Sequence, residues 1–409
     1  MKESYIYIVG QPDVQSGALD TIRRLGYKAG ILSDTRLTLK NPELYDRIEK
    51  VDFEHIDDEL TRLDTLQLEV AGLVCTYENY VVSKAKLGEH FAAPSLSLES
   101  AKLCTDKSLM RQAFIDEDPS ISPNFTAIAS VNDALAFAAT YGYPLIIKPT
   151  NLVKSLLVLR CDNEAQLIEN VSYAQETIGK LYEKYHIYER EAQLIIEEFI
   201  EGKQCSIAAF VDEHGVPHFC QGVVALTNAQ DIHVDDNFLY KRELPAVIDP
   251  ELEKEMFRVA TAGVKALKMR SVPAHIELMY GPKGVKIIEI GARIGGYRPR
   301  MYKYSYGLDL IEQEVKLAIA HTPTLQGDFT TYCAVYELFP EQEGRFQAIK
   351  GNIDTSILTY YRETAKIDGP VGPAKNGYKA SAIIIVTNPS REAFEAMCAQ
   401  VEQLTVEVA

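Results

Sequence analysis

The sequence predicts a protein of mixed α/β and α+β class, built from several packed units, on three observations. The first hundred residues alternate apolar strands with amphipathic helices. A compact module of short strands and two helices follows the prolines of "DPSISP". Beyond it, "VPAHIELMYGPKGVKIIEIGARIGG", residues 272 to 296, reads as two strands joined by a tight turn, with Glu277 and Glu289 inside otherwise apolar runs. At 409 residues the chain exceeds a single core, and about 100–200 residues per domain suggests two to four units.

In chain order, "SYIYIVG" is a strand, "SGALDTIRRLG" a helix, "YKAGILSD" and "VAGLVCTYE" strands, and "NYVVSKAKLGEH" a helix, the pattern of a doubly wound α/β unit. Its first turn, "GQPDVQSG", never forms GxGxxG, which removes the main support for a dinucleotide-dependent dehydrogenase. "SLESAKLCTDKSLMRQAFIDED" is helical up to the proline break. The module then runs "FTAIAS" strand, "VNDALAFAATYG" helix, "YPLIIKP" and "SLLVLR" strands, "NEAQLIENVSYAQETIG" helix and "AQLIIEEFIEG" strand. "CSIAAFVDEHG" and "PHFCQGVVALT" form a hairpin, "PELEKEMFRVATAGVKALK" a helix, and the tail from about residue 325 alternates strand and turn before a last helix, "SREAFEAMCAQVEQL".

The balance of 42 basic against 58 acidic residues, net −16, opposes non-specific attraction to nucleic acid or an anionic membrane. An anionic ligand must therefore meet a local cluster of cations. No stretch approaches the ~18–20 apolar residues of a spanning helix, and the start, "MKESYIYIVGQPD", carries only a short apolar run. The expectation is a cytoplasmic protein without nucleic-acid or membrane partners. Seven scattered cysteines form no CxxC pair and have no histidine at metal-ligand spacing, as expected of reduced, buried thiols.

Alternation in "HIEL" puts His275 and Glu277 on one strand face, and in "KIIEIGAR" gives Glu289 the parity of Ile287, Gly291 and Arg293. The turn "YGPKGV" makes the two runs antiparallel neighbours. Two adjacent carboxylates repel unless a hard divalent cation such as Mg²⁺ lies between them; the alternative is a solvated pair on an open face. Magnesium on one or two carboxylates usually completes its shell with phosphate oxygens. No GxxxxGK[ST] occurs, so the P-loop class is excluded. Lys148, closing "YPLIIKP", and Lys107, opening "DKSLMRQAF", are the candidate phosphate cations, with surface charge as the alternative reading of each.

In this order the segments resemble the ATP-grasp superfamily over nearly the whole chain: an α/β domain, "DK..MR..F", "IIKP", the hinge strand "IIEEFIEG", and the paired glutamates of "HIEL" and "IIEIGARIGG". The resemblance implies an ATP-grasp fold divided into a Rossmann-like pre-ATP-grasp domain (1–105), a connecting helix (106–122), a mobile lid subdomain (123–202), a core with the metal site (203–325) and a C-terminal lobe (326–409). It implies ATP with Mg²⁺, or Mn²⁺ in its place. Lys107 and Lys148 would contact phosphates, and Glu197, Glu198, Phe199 and Ile200 would form the hinge at the adenine edge. Glu277 and Glu289 would hold metal, and Arg293 would face the transferred phosphoryl group.

Three departures from the family pattern stand out. Gln204 replaces the usual ribose-binding glutamate. Gly291 replaces the asparagine that many members use as a metal ligand. The phosphate-covering loop, "TNLVKSLLV", lacks glycine and offers Lys154 and Ser155 instead. His275 would orient a substrate or metal-bound water, or else be satisfied by a neighbouring carboxylate. The run "YRPRMYKYSYG" would line the substrate end, with Arg298 or Arg300 on a carboxylate, or form a snorkelling surface helix. The branch most resembled is the L-amino-acid ligases, which join an amino-acid carboxylate to an amine through an acyl phosphate. Open alternatives are a carboxylate–amine ligase of another pathway and a nucleotide-binding protein without turnover. The implied partners are small molecules, and a homodimer is common in the superfamily.

Overall fold

The computed structural model describes residues 4–12, 17–152, 156–184, 192–236 and 238–409. In the first domain, strands Arg47–Val51, Lys28–Asp34, Tyr5–Gly10 and Val70–Val74 lie in that spatial order in one parallel sheet. Tyr5–Gly10 is central, so the strand order reverses beside it, and the crevice at the carboxyl ends of Tyr5–Gly10 and Val70–Val74 is where open parallel sheets present ligand-binding loops. Arg47–Val51 was not expected, because "RIEKV" is mostly charged; it occupies the sheet edge, where charge is favoured over apolar alternation.

The helical run "SLESAKLCTDKSLMRQAFIDED" is two helices, Leu98–Thr105 and Lys107–Glu117, the second opening at Lys107 and ending before the expected residue 122. Asp106 between them is extended, and its carboxylate accepts from the amides of Ser108 and Leu109 as an N-cap. Lys107 is therefore the first residue of a new helix, with its own amide bonded to Thr150 O at 2.9 Å. The module beyond has an antiparallel sheet ordered Phe125–Ile128, Leu194–Glu198, Leu145–Pro149, Leu159–Cys161, covered by helices Val131–Tyr141 and Glu164–Lys184. The run "SLLVLR" contributes only Leu159 and Arg160 to the strand Leu159–Cys161, and Leu157 before it has a positive φ, outside the β region. Ser155 and Lys154 lie outside the described residues.

The core is a large antiparallel sheet running Gly284–Gly291, Val272–Gly281, Lys203–Val211, Val224–Asn228, Leu239–Leu244, Tyr332–Leu338, Ala382–Asn388 and Leu358–Glu363. It continues unbroken across residue 325, because Tyr332–Leu338 pairs with Leu239–Leu244. Helix Pro250–Ala266 packs on the hairpin Val272–Gly281/Gly284–Gly291, burying Ile276, Leu278, Ile287 and Ile290 with Met256, Val259, Ala260 and Val264. No helix among the described residues is long and apolar enough to cross a membrane.

Candidate active site

The hairpin sets Glu277 directly opposite Glu289 and His275 opposite Gly291. The register then shifts: Leu278 faces Ile287, so Ile288 is the extra residue of a β-bulge. This corrects the expected parity of Glu289 with Ile287. Both Ile287 and Ile290 are buried in the core, and regular alternation from Ile287 would send Glu289 there too. The bulge resets the alternation, keeping Glu289 on the open face with Glu277.

Each carboxylate is approached by named partners. Lys107 Nζ stands 3.4 Å from Glu289 Oε2 and donates to Leu152 O at 3.0 Å. His275 Nε2 is 3.1 Å from Glu277 Oε1, and Gln204 Nε2 donates to Glu277 Oε2 at 3.0 Å. Burial alone would raise the Glu277 carboxyl, but the His275 hydrogen bond, with the Arg298 and Arg293 guanidiniums, holds it down to about 2. Burial lowers the His275 imidazole against the pull of Glu277, so the ring is neutral at pH 7 and donates from Nε2. Its Nδ1 has no hydrogen-bond partner among the described residues. A Cβ at Gly295 would come 2.5 Å from Nδ1, so the first glycine of "IGG" is the space the imidazole occupies.

Lys148 lies in a buried trio. Its Nζ reaches Glu197 Oε1 at 2.5 Å, while Arg111 Nε donates to Glu197 Oε2 at 2.9 Å. Arg111 Nη2 continues to Ile288 O at 2.8 Å, the carbonyl of the bulged residue, and so ties the sheet that carries Glu197 to the hairpin of the paired glutamates. Burial pushes the Lys148 ammonium down to about 8 despite Glu197. Burial acts oppositely on Glu197, yet Arg111 and Lys148 hold that carboxyl down at about 2. Two cations against one anion leave the trio one positive charge in excess, a charge suited to a phosphate. Arg111 lies four residues after Lys107, hence on the same helix face; that spacing was the available sequence signal for it.

Several expectations are corrected. Glu197 does not meet an adenine edge with its side chain, because both carboxylate oxygens are spent on cations. The Glu198 side chain accepts from Asn124 Nδ2 at 2.7 Å and pairs with Lys283 at 3.3 Å, which leaves the expectation for the backbone of Glu198 and Ile200 standing. Phe199 lies under the Arg160 guanidinium, Cζ 4.3 Å from the ring centroid, and Ile200 is buried. Gln204 is committed at both ends, to Glu277 and, through Asn228 Nδ2 at 2.8 Å, to the neighbouring strand, so it orients a glutamate instead of standing free for a ribose. The helix Arg298–Tyr306 is no snorkelling surface helix at its start: Arg298 is 2% exposed and donates to Ser206 Oγ at 2.8 Å. Burial pushes Arg298 down to about 10. Arg300 packs over Tyr360, Cζ 4.5 Å from its centroid.

Sequence reasoning also missed Glu78. It follows the strand Val70–Val74 and forms an ion pair with Arg293 Nε at 2.7 Å. Burial raises its carboxyl, Arg293 pulls it down, and Glu289 raises it further. Its signal was an acid just past a parallel strand's carboxyl end, in "VCTYENY". The seven cysteines are buried and unpaired, as expected.

The donor set suits a hard cation: two facing carboxylates, Glu277 held ionised, with a lysine beside Glu289. No group of three His, Cys, Asp or Glu converges for metal binding among the described residues. A cation held by these two carboxylates would need further oxygen ligands from outside them.

Residues 141–299 match the ATP-grasp domain family. The chain carries an ATP-grasp domain. Its fold is the ATP-grasp fold: the crystal structure of L-amino acid ligase from Bacillus licheniformis superposes with a TM-score of 0.79 over 99% of both chains, at 19% identity. By sequence, the uncharacterized protein y4rH of Sinorhizobium fredii is 22% identical over 364 residues, 86% of this chain and 71% of that one. The 3-methyl-D-ornithine–L-lysine ligase of Methanosarcina mazei is 26% identical over 132 residues, so the match spans 32% of that ligase's length.

Proposed function

We propose that this chain is an ATP-dependent carbon–nitrogen ligase that activates a carboxylate, an amino acid's, as an acyl phosphate and passes the acyl group to an amine. The observation that carries the reading is the pairing of Glu277 with Glu289 on the open face of a bulged hairpin, with Lys107 3.4 Å from Glu289. Two ligases among the similar proteins support it.

In this reading the excess charge of the Arg111–Glu197–Lys148 trio and Lys107 hold the nucleotide phosphates, and the backbone at Glu198 and Ile200 meets the base. Glu277 and Glu289 would hold Mg²⁺, which when bound neutralises the phosphate tail. His275 and Gln204 keep Glu277 ionised and oriented. The substrate carboxylate oxygen attacks the γ-phosphorus, and the bond to the β,γ-bridging oxygen breaks to release ADP. Arg293 faces the moving phosphoryl group, where a charge-assisted contact strengthens as charge shifts. The amine then attacks the acyl carbon, loses a proton and expels phosphate, leaving an amide.

Phosphate release under Mg–ATP with a panel of amino acids, singly and in pairs, tests the reading. Release that needs two amino acids supports peptide-bond synthesis, and release that needs one plus another amine supports the broader ligase. Nucleotide binding without release under any pair contradicts both and leaves an ATP-binding protein without turnover.

A further inference from the structure

We propose that Glu78 is a positioning residue for Arg293, delivered to the ligation site by the first domain, and that position 291 is glycine in order to admit it. The inference rests on the role given above to Arg293. Glu78 opens the short turn Glu78–Tyr80 at the sheet crevice of the first domain, whereas Arg293 follows the last strand of the core hairpin. Their ion pair, Nε to Oε2 at 2.7 Å, therefore crosses between domains. Arg293 Nη1 is spent on Ile294 O at 3.1 Å. The Nε–Oε2 contact is a close ion pair without an aligned hydrogen bond, and together with the Nη1 bond to that carbonyl it holds the guanidinium on the Glu78 side of the site.

Gly291 is the complementary half of the argument. A Cβ placed there would stand 3.3 Å from Glu78 Oε2, tighter than an ordinary contact, with the guanidinium carbon of Arg293 at 3.8 Å. An asparagine side chain at 291 would extend further into the volume that the Glu78 carboxylate fills. The glycine at 291 and the acid at 78 thus fit together: the strand leaves open the space into which the Glu78 carboxylate reaches. That carboxylate serves the arginine and not the cation, since it does not converge with Glu277 and Glu289 into a three-group metal site among the described residues. A long arginine otherwise retains rotamer freedom that must be lost at the transition state.

The test compares Glu78→Gln, Arg293→Ala and the double variant. The expected result is a kcat about tenfold or more below the parent in Glu78→Gln, with the KM for Mg–ATP and the Mn²⁺ affinity nearly unchanged. Adding Glu78→Gln to Arg293→Ala costs nothing more, because the carboxylate acts through the arginine. Gly291→Asn lowers kcat similarly, and Glu78→Gln in that background costs little more, because the carboxylate has already been displaced. An arginine-¹⁵N spectrum supplies a readout without turnover: the Arg293 Nε–H resonance, assigned with Arg293→Lys, shifts in Glu78→Gln. Parent-like turnover, additive losses or an unmoved Nε–H resonance overturns the proposal. A weakened Mn²⁺ affinity in Glu78→Gln also overturns it, by making the carboxylate a metal ligand. If the parent turns over no acid–amine pair, the ligase reading falls, and the Nε–H resonance still decides whether Glu78 holds Arg293.

Discussion

Glu197→Gln isolates the charge arrangement behind the lysine of the lid strand. The substitution keeps shape but removes the carboxylate that both Arg111, 1% exposed, and Lys148, 5% exposed, pair with. Two buried cations then face a neutral amide. Leaving a buried charge uncompensated costs about 3–5 kcal/mol, a large share of the ~5–15 kcal/mol that holds a domain folded. For a cooperative unit of about 150–250 residues each kcal/mol shifts the melting temperature by roughly 2–4 °C, so circular dichroism should show a fall of about six degrees or more. Saturating Mg–ADP should shrink the deficit, because phosphates bring anions back to Lys148. The pH dependence has a defined sign. Glu197 is held at about 2 against an ordinary 4.5, so its stabilisation is fully present above pH 4.5 and is lost as pH falls towards 2. Glu197→Gln should flatten that acid limb, and Glu197→Asp should keep it. A Glu197→Gln protein melting within two degrees of the parent would refute the claim that this carboxylate compensates the trio.

Three further outcomes follow from the geometry. Gly295→Ala brings a Cβ within 2.5 Å of His275 Nδ1 and should displace the ring from Glu277; about 1–3 kcal/mol of overpacking strain is expected in urea melts, with turnover falling further than stability accounts for. Because burial lowers His275, the unfolded chain takes up its proton first, so stability should decline as pH drops below ~6.5; the decline should be smaller in His275→Asn, as urea midpoints at pH 5.5 and 7.5 will show. Asp106→Ala removes the cap of the helix Lys107–Glu117 and should cost ~1 kcal/mol, while also raising the KM for ATP by loosening Lys107.

Much of the fold is legible because its elements are periodic and well punctuated. The helices Val131–Tyr141 and Pro250–Ala266 begin at the side-chain caps Ser130 and Asp249, and the turn between the two glutamate strands is marked by glycine and proline. Legibility fails where tertiary context overrides local pattern. The charged strand Arg47–Val51 exists because an edge tolerates it, and the Ile288 bulge has no marker in "KIIEIG". The site divides the same way. Glu277 and Glu289 stand out as acids in apolar strands, whereas Glu78 and Arg111 belong to remote segments and become meaningful only when the fold sets them against Arg293 and Glu197. The family resemblance puts Glu197 and Gln204 near the nucleotide, but a sequence does not show which neighbours their polar atoms bond.

The most direct test of the metal-linked nucleotide site is Mn²⁺ binding followed by electron paramagnetic resonance, with and without a non-hydrolysable ATP analogue, in the parent, Glu277→Gln and Glu289→Gln. Two protein carboxylates without a third predict weak binding of Mn²⁺ alone, and binding at least about tenfold tighter with the analogue, a gain that either substitution abolishes. Equal analogue-dependent affinity in all three proteins would contradict the account.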